Sequence, residues 1–331
     1  MWESISNNCF YYKNAILCKL FPDYIASSLV ESYFTPNKVE QPEDEKEFEE
    51  STKHNVLEIP TEGYKERAAK FAENNKNMPE MKLTRIPDLP EEFTVLEFLP
   101  EENCPKRKET IICIHGWEGR GTSFYKFIPK LTKKGFRVLA PDFPMHGKSG
   151  GEETGAHVFA YCLNCILNYI KKPAILLSHS LGNGGVMINY YLSDEKTRNL
   201  IRGFVGIRIF DFTTDYLDKV GKSLGIDDYT NNLFLDKNSE KVGIDVHHLV
   251  VSKTLERFNF PCLLVHDDND NLVPFDWITS CSNSINEKYQ KYKIGDKEYP
   301  CLYRTSGLGH KDLLKDDQVL DVIVDFISTI H

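Results

Sequence analysis

The chain has 331 residues, 41% of them apolar and 27% charged, with a formal net charge of -9 and a pI near 5.6. This is the composition of an ordinary globular protein, and its acidic balance argues against nucleic acid or an anionic membrane as a partner, because both call for a basic face. No apolar run approaches the ~20 residues of a bilayer span, and Met1-Trp2-Glu3-Ser4 lacks the basic-then-apolar pattern of a secretory signal.

Residues 10–35 carry an apolar stripe, Ile16-Leu17, Leu20-Phe21, Tyr24-Ile25, Leu29-Val30 and Phe34, which Pro22 splits into two helical pieces. Only Lys13 and Lys19 accompany it, which favours an arm packed on the core over a peripheral membrane anchor. Residues 40–50 are acidic and read as a solvated helix face or a linker. From residue 55 the pattern changes. Strands are predicted over 56–59, 81–86 and 93–98, with a short helix over 65–73, as an antiparallel edge leading into a main sheet.

Thr110–Ile114 is a continuous apolar run, the mark of a strand buried on both faces. It ends in His115-Gly116-Trp117-Glu118-Gly119-Arg120-Gly121, before a helical pattern over 124–131. The next strand, 135–142, runs into the turn-rich 143–150, and 154–170 is helical. A short apolar run, 174–177, then breaks into Ser178-His179-Ser180-Leu181-Gly182 and a further helix. Another strand follows at 201–207. Residues 211–257 are polar and helical in tone, and 261–266, 298–304 and 319–330 read as two more strands and a closing helix.

Strands alternating with helices mean βαβ units. The predicted architecture is α/β, a mostly parallel central sheet with helices on both faces and a small helical cap. An N-terminal helical arm covers 1–54, the core covers 55–210 and 258–331, and the cap is inserted at 211–257. Nine cysteines, an odd number without framework spacing, favour a reducing, cytoplasmic compartment. Cys162 and Cys165 form a C-x-x-C inside a helical pattern and read as packing.

The chemistry centres on Ser180. Small-x-Ser-x-small between a strand and a helix is a turn tight enough to strain its middle residue, which then stands at a helix N-terminus where negative charge is stabilised. The first small position, usually glycine, is Ser178 here. A serine hydroxyl needs a base, and the base an orienting acid. Later strand ends supply both: His310 in Gly307-Leu308-Gly309-His310, and Asp270 in His266-Asp267-Asp268-Asn269-Asp270-Asn271-Leu272-Val273-Pro274. Asp267, Asp268 and Asp211 are the alternatives for the acid. The backbone N–H groups of Leu181 and Trp117 are the expected oxyanion donors. His115 and His146 read as structural braces, and the adjacent His247 and His248 do not make a zinc site.

In residues 115–120, 142–149, 178–182, 266–274 and 307–310 the chain resembles α/β-hydrolase-superfamily serine hydrolases, in particular bacterial-type hydrolases with a short cap. The resemblance implies an esterase-like enzyme without cofactor, acting on a small-molecule or acyl-ester substrate. Phe212, Tyr216 and Phe234 in the cap suggest an apolar acyl pocket. An acyltransferase, or a catalytically quiet receptor on the same fold, is the alternative.

Overall fold

The structure is a computed structural model, and it describes residues 14, 16–74, 83–209, 214–246, 250–270, 273, 275–294, 296–309 and 312–330. Among the described residues ten strands are formed: β1 (Asn55–Pro60), β2 (Glu92–Phe98), β3 (Thr110–Ile114), β4 (Arg137–Pro141), β5 (Ala174–His179), β6 (Ile201–Ile207), β7 (Cys262–Asp267), β8 (Lys291–Ile294), β9 (Lys297–Pro300) and β10 (Leu302–Thr305). Eight of them make one sheet in the order β1-β2-β4-β3-β5-β6-β7-β10. β1 and β2 are antiparallel to their neighbours and the rest run parallel.

The apolar strands are buried on both sides because helices cover both faces. Ile112 and Ile114 of β3 enter one core cluster and Ile111 and Cys113 the other, as side-chain alternation requires. The helices are α1 (Pro22–Tyr33), α2 (Glu43–Ser51), α3 (Tyr64–Asn74), α4 (Phe127–Lys133), α5 (Ala156–Ile170), α6 (Leu181–Leu192), α7 (Glu195–Arg198), α8 (Thr214–Ser223), α9 (Asp228–Val242), α10 (Val251–Glu256), α11 (Phe275–Ser284) and α12 (Asp317–Ser328). Val158, Ile166, Val186 and Ile188 of α5 and α6 fill the first cluster. Phe127, Leu131, Leu320 and Ile323 of α4 and α12 fill the second.

Register aligns the carboxyl ends of four strands. Ile114 lies opposite Ser178, His179 opposite Ile207, and Ile207 opposite Val265. Loops leaving these ends therefore meet at one rim, where open α/β sheets bind their ligands.

Three local expectations are corrected. Residues 83–86 form no strand; Thr84 and Arg85 instead lie against the end of α9, where Thr84 N–H donates to Gly243 O at 2.8 Å. The single strand expected at 298–304 is split: β9 pairs with β8 in a separate hairpin and β10 joins β7 in the main sheet. The acidic stretch is a helix, α2, with Glu43, Lys46, Glu47 and Glu50 exposed on one face, but its other face packs on the protein. Glu45 is buried and accepts from Thr122 Oγ1 at 2.7 Å, and Asp44 accepts from Tyr125 OH at 2.8 Å.

The arm and the segment between β6 and β7 pack on each other. α1 lies along α9, Asp23 pairs with Lys237 at 3.1 Å, and Asn14 Nδ2 donates to Leu224 O at 3.0 Å. Pro22 opens α1 at a position where its missing N–H costs nothing.

Candidate active site

β5 runs directly into α6 through Ser180, whose φ of 52° and ψ of -120° lie outside the ordinary regions for a residue with a side chain. Such a conformation costs about 1–3 kcal/mol and persists only where the surroundings impose it. Here they do. Ser180 N–H donates to Ile207 O at 3.0 Å, tying the turn to the end of β6. Asn183 Nδ2 donates to both Ser180 O and Ile207 O, each at 3.0 Å.

Ser178, in the usual glycine position, is fully buried, and its hydroxyl donates to Asn183 Oδ1. The departure is thus absorbed by one partner. Asn183 holds Ser178, the elbow and β6 together, and no motif announces it.

Small residues around the elbow have a steric reason. A Cβ on Gly182 would lie 2.6 Å from Ile114 O and 2.7 Å from His115 O, so α6 can start this close to β3 only with glycine there. A Cβ on Gly116 would lie 3.1 Å from Ser180 Cβ and 3.0 Å from His179 Nδ1. The loop that carries Trp117 is therefore pressed against the serine. Leu181 is the first residue of α6, and the first N–H groups of a helix have no intrahelical acceptor.

Two histidines brace this loop. His115 Nε2 accepts from Phe143 N–H at 3.1 Å, and its Nδ1 meets Gly116 O at 2.7 Å. His146 Nε2 accepts from Glu118 N–H at 3.1 Å, and its Nδ1 meets Pro144 O at 3.0 Å. An Nε2 that accepts leaves the proton on Nδ1, so both rings are neutral Nδ1–H tautomers. Burial enforces this, pushing His146 down to about 4 and, with His146 alongside, holding His115 well below its ordinary value. His179 is also held neutral, at about 3, by burial and then by the Arg208 guanidinium.

The arm completes the brace. Glu118 has a φ of 58°, and its carboxylate accepts from Asn37 N–H at 2.9 Å and Asn37 Nδ2 at 2.8 Å. The Trp117 ring lies between Tyr33, stacked at 6.5 Å, and His146, edge-on at 5.8 Å.

The acid candidates separate. Asp267, at the end of β7, accepts from Asn269 N–H and Gly309 N–H at 3.0 Å, Leu308 N–H at 3.1 Å and Thr305 Oγ1 at 2.8 Å. Four donors fill a carboxylate. Burial would raise its pKa, but these hydrogen bonds outweigh it and hold the carboxyl below its ordinary value. Asp267 thus shapes the loop leading to residue 310. Asp268 pairs with Arg304 at the surface. Asp270 is fully buried. Its Oδ2 accepts from Arg208 Nε at 2.6 Å and its Oδ1 from Val273 N–H at 3.2 Å. Arg208 was not singled out in the sequence, although a charge inside Val205-Gly206-Ile207-Arg208-Ile209 is itself a signal. Among the described residues it is one of the largest fully buried side chains, and it has a φ of 55°.

His310 lies outside the described residues, as do Asp211, Phe212, His247 and His248 and the side chain of Tyr216. Ser180, Leu181 and the Gly116–Trp117 loop lie together, and Asp270 follows the carboxyl end of β7 on the same rim. No group of three or more potential metal ligands occurs among the described residues. A crevice of about 40 Å³ opens beside Leu181, between Tyr33 and Phe34 of the arm, Ile188 of α6, and Leu217 and Val242 from between β6 and β7. Phe234 instead stacks edge-on against Tyr33 at 6.2 Å.

A strained serine between a buried parallel strand and a helix, at the carboxyl rim of a mostly parallel sheet, defines the α/β-hydrolase fold. Residues 109–224 match the α/β hydrolase fold family. It is similar to a "Probable serine hydrolase" of Drosophila melanogaster, 36% identical over 83 residues that make up 23% of this chain and 25% of that protein. It is also similar to an "Acyl transferase" of Photorhabdus laumondii, 31% identical over 165 residues, 46% of this chain and 50% of that one. The chain spans half or less of the length of these curated relatives.

Among solved structures, the Pyrococcus furiosus esterase Pf2001 matches with a TM-score of 0.56 at 16% identity, covering 89% of this chain and 97% of that one. Est1E from Butyrivibrio proteoclasticus with ferulic acid bound matches with 0.51 at 18%, covering 72% and 93%. At these identities the likeness is one of fold. No described helix is long and apolar enough to cross a membrane.

Proposed function

We propose that the protein is a serine hydrolase that cleaves a carboxylic ester, or a related thioester or amide, through an acyl-enzyme. The observation that carries this is Ser180, held at a φ of 52° at the start of α6 with the Gly116–Trp117 loop against it. Ser180 Oγ attacks the carbonyl carbon while His310 takes its proton. The N–H groups of Leu181 and Trp117 stabilise the oxyanion. The intermediate collapses, His310 protonates the departing alcohol, and water, activated by the same imidazole, releases the acid. Asp270 fixes the imidazole tautomer, since Asp267 already has its full set of donors. None of these steps calls for a cofactor. The substrate is a small acyl ester, and the apolar crevice beside Leu181 is the acyl site.

The test is hydrolysis of p-nitrophenyl butyrate. Ser180→Ala should lower the rate by at least roughly 10³-fold, and equal rates for the two proteins would end the proposal. A second reading, transfer of the acyl group to an acceptor other than water, draws on the relative named as an acyl transferase. It predicts that an added alcohol diverts the acyl group into a new ester in a Ser180-dependent way, and release of free acid alone would exclude it for that alcohol.

A further inference from the structure

The crevice beside Leu181 is lined by apolar and aromatic side chains together with Asn238 and His157, and Asn238 already donates from Nδ2 to Phe234 O at 2.7 Å. His157 is on the first turn of α5 and has no exposed surface. Its Nε2 lies 3.0 Å from Glu153 Oε1. Glu153 is itself clamped by Arg85, whose two terminal nitrogens meet its two carboxylate oxygens at 2.6 Å each. Lys241 Nζ stands 3.7 Å away. Burial alone would raise the Glu153 carboxyl, but Arg85, His157 and Lys241 outweigh it and keep it ionised.

An ionised carboxylate can only accept, so His157 Nε2 carries the hydrogen and donates it. Burial holds the ring neutral even with Glu153 beside it. Nδ1 then presents a lone pair, and it is buried with no hydrogen-bond partner among the described residues. Buried polar atoms of this kind are rare and call for an explanation. Phe34 lies edge-on to the ring at 5.4 Å and offers no donor. The partner that Nδ1 lacks must bring a hydrogen to donate.

We propose that His157 is a specificity-determining residue, and that the crevice takes the acyl portion of a substrate bearing a hydroxyl group, which donates to His157 Nδ1. The proposal rests on the ester-hydrolase reading above and names its substrate class: a short hydroxyacyl ester. The size agrees, since about 40 Å³ holds a water or two, or a few carbons. The placement agrees too. The same crevice is walled by Leu181, the residue after the nucleophile, and by Tyr33, which stacks on Trp117. Through Leu181 the crevice adjoins the turn that carries Ser180. Discrimination comes from the unpaired acceptor: an ester without the hydroxyl leaves Nδ1 buried and unmet, whereas a methyl ether fills the space without donating.

The experiment compares p-nitrophenyl butyrate with its 2-hydroxy, 3-hydroxy, 2-methoxy and 3-methoxy derivatives, each rate divided by that ester's rate with hydroxide. The wild type should favour one hydroxy ester over its methoxy counterpart in kcat/KM by roughly tenfold, the worth of one hydrogen bond. His157→Phe fills the ring's space and deletes the acceptor at Nδ1. It should lose the preference, read as the ratio of hydroxy-ester to methoxy-ester rates within the variant. His157→Gln keeps a donor toward Glu153 and has its own amide oxygen as an acceptor, so it should keep more of the preference than His157→Phe.

Ser180-dependent hydrolysis with no hydroxyl preference at either carbon would overturn the proposal, leave ester hydrolysis standing, and assign the crevice to water. A preference that survives His157→Phe would also overturn it. Absence of any Ser180-dependent hydrolysis would instead remove the reading on which it rests.

Discussion

Replacing Asn183 by alanine tests what holds Ser180 in its strained conformation. Alanine suits a helix, so helix propensity does not confound the change. The amide makes three buried hydrogen bonds: it accepts from Ser178 and donates to Ser180 O and Ile207 O. After the substitution, Ser180 O keeps Asn183 N–H at 2.9 Å and Ile207 O keeps Ser180 N–H at 3.0 Å. Only the Ser178 hydroxyl is orphaned. At about 1 kcal/mol for each lost bond, with a further ~1 kcal/mol for the stranded hydroxyl, Asn183→Ala should cost roughly 3–4 kcal/mol. Ser178→Ala removes one of the same bonds and should cost about 1–2 kcal/mol.

Because the two share a bond, the double variant should be more stable than the sum of the singles by about 1–2 kcal/mol. Urea unfolding followed by tryptophan fluorescence measures all four proteins, and p-nitrophenyl butyrate hydrolysis reports the elbow itself. Asn183→Ala should lose roughly tenfold or more in kcat. Additivity within about 0.5 kcal/mol, with unchanged kcat, would refute the claim that Asn183 compensates for serine at position 178.

Arg208→Met leaves Asp270 buried without its cation and should destabilise the fold by about 3–5 kcal/mol in urea unfolding, part of which Asp270→Asn recovers. Asn37→Ala withdraws a donor from Glu118 and loosens the Trp117 loop; kcat on p-nitrophenyl butyrate should fall about two- to fivefold with KM unchanged. His146 titrates near 4 when folded and near its ordinary 6.5 when unfolded, so the unfolded chain binds the extra proton between these values. Its contribution is complete above pH 6.5 and fades as pH falls toward 4. Between pH 7.5 and 5.0 the wild type should lose about 2 kcal/mol more than His146→Gln, measured by urea midpoints at the two pH values.

The sheet was legible because both-face burial writes continuous apolar runs such as Thr110–Ile114 and 174–177, and glycines at 116 and 182 mark where backbones must touch. The elbow was legible for the same reason. What escaped was polar and non-local. Asn183 looks like any helix residue until its three partners, on β5, at the elbow and on β6, are seen together. Glu118 and Asn37 are 81 positions apart, and neither carries a motif. Glu153 and His157 sit a turn apart and could have been read as an ion pair, but Arg85, which makes it a network, comes from a stretch expected to be a strand. The split of β9 from β10 follows from Cys301, whose N–H donates to Gln290 O while Leu264 N–H reaches its carbonyl, a crossover that alternation alone does not reveal.

The most direct test of the account is to label the folded protein with a fluorophosphonate and find the adduct by peptide mass spectrometry. One adduct is expected, on Ser180, lost in Ser180→Ala and strongly slowed in His310→Ala. No adduct on folded protein, or one on another residue, would contradict it.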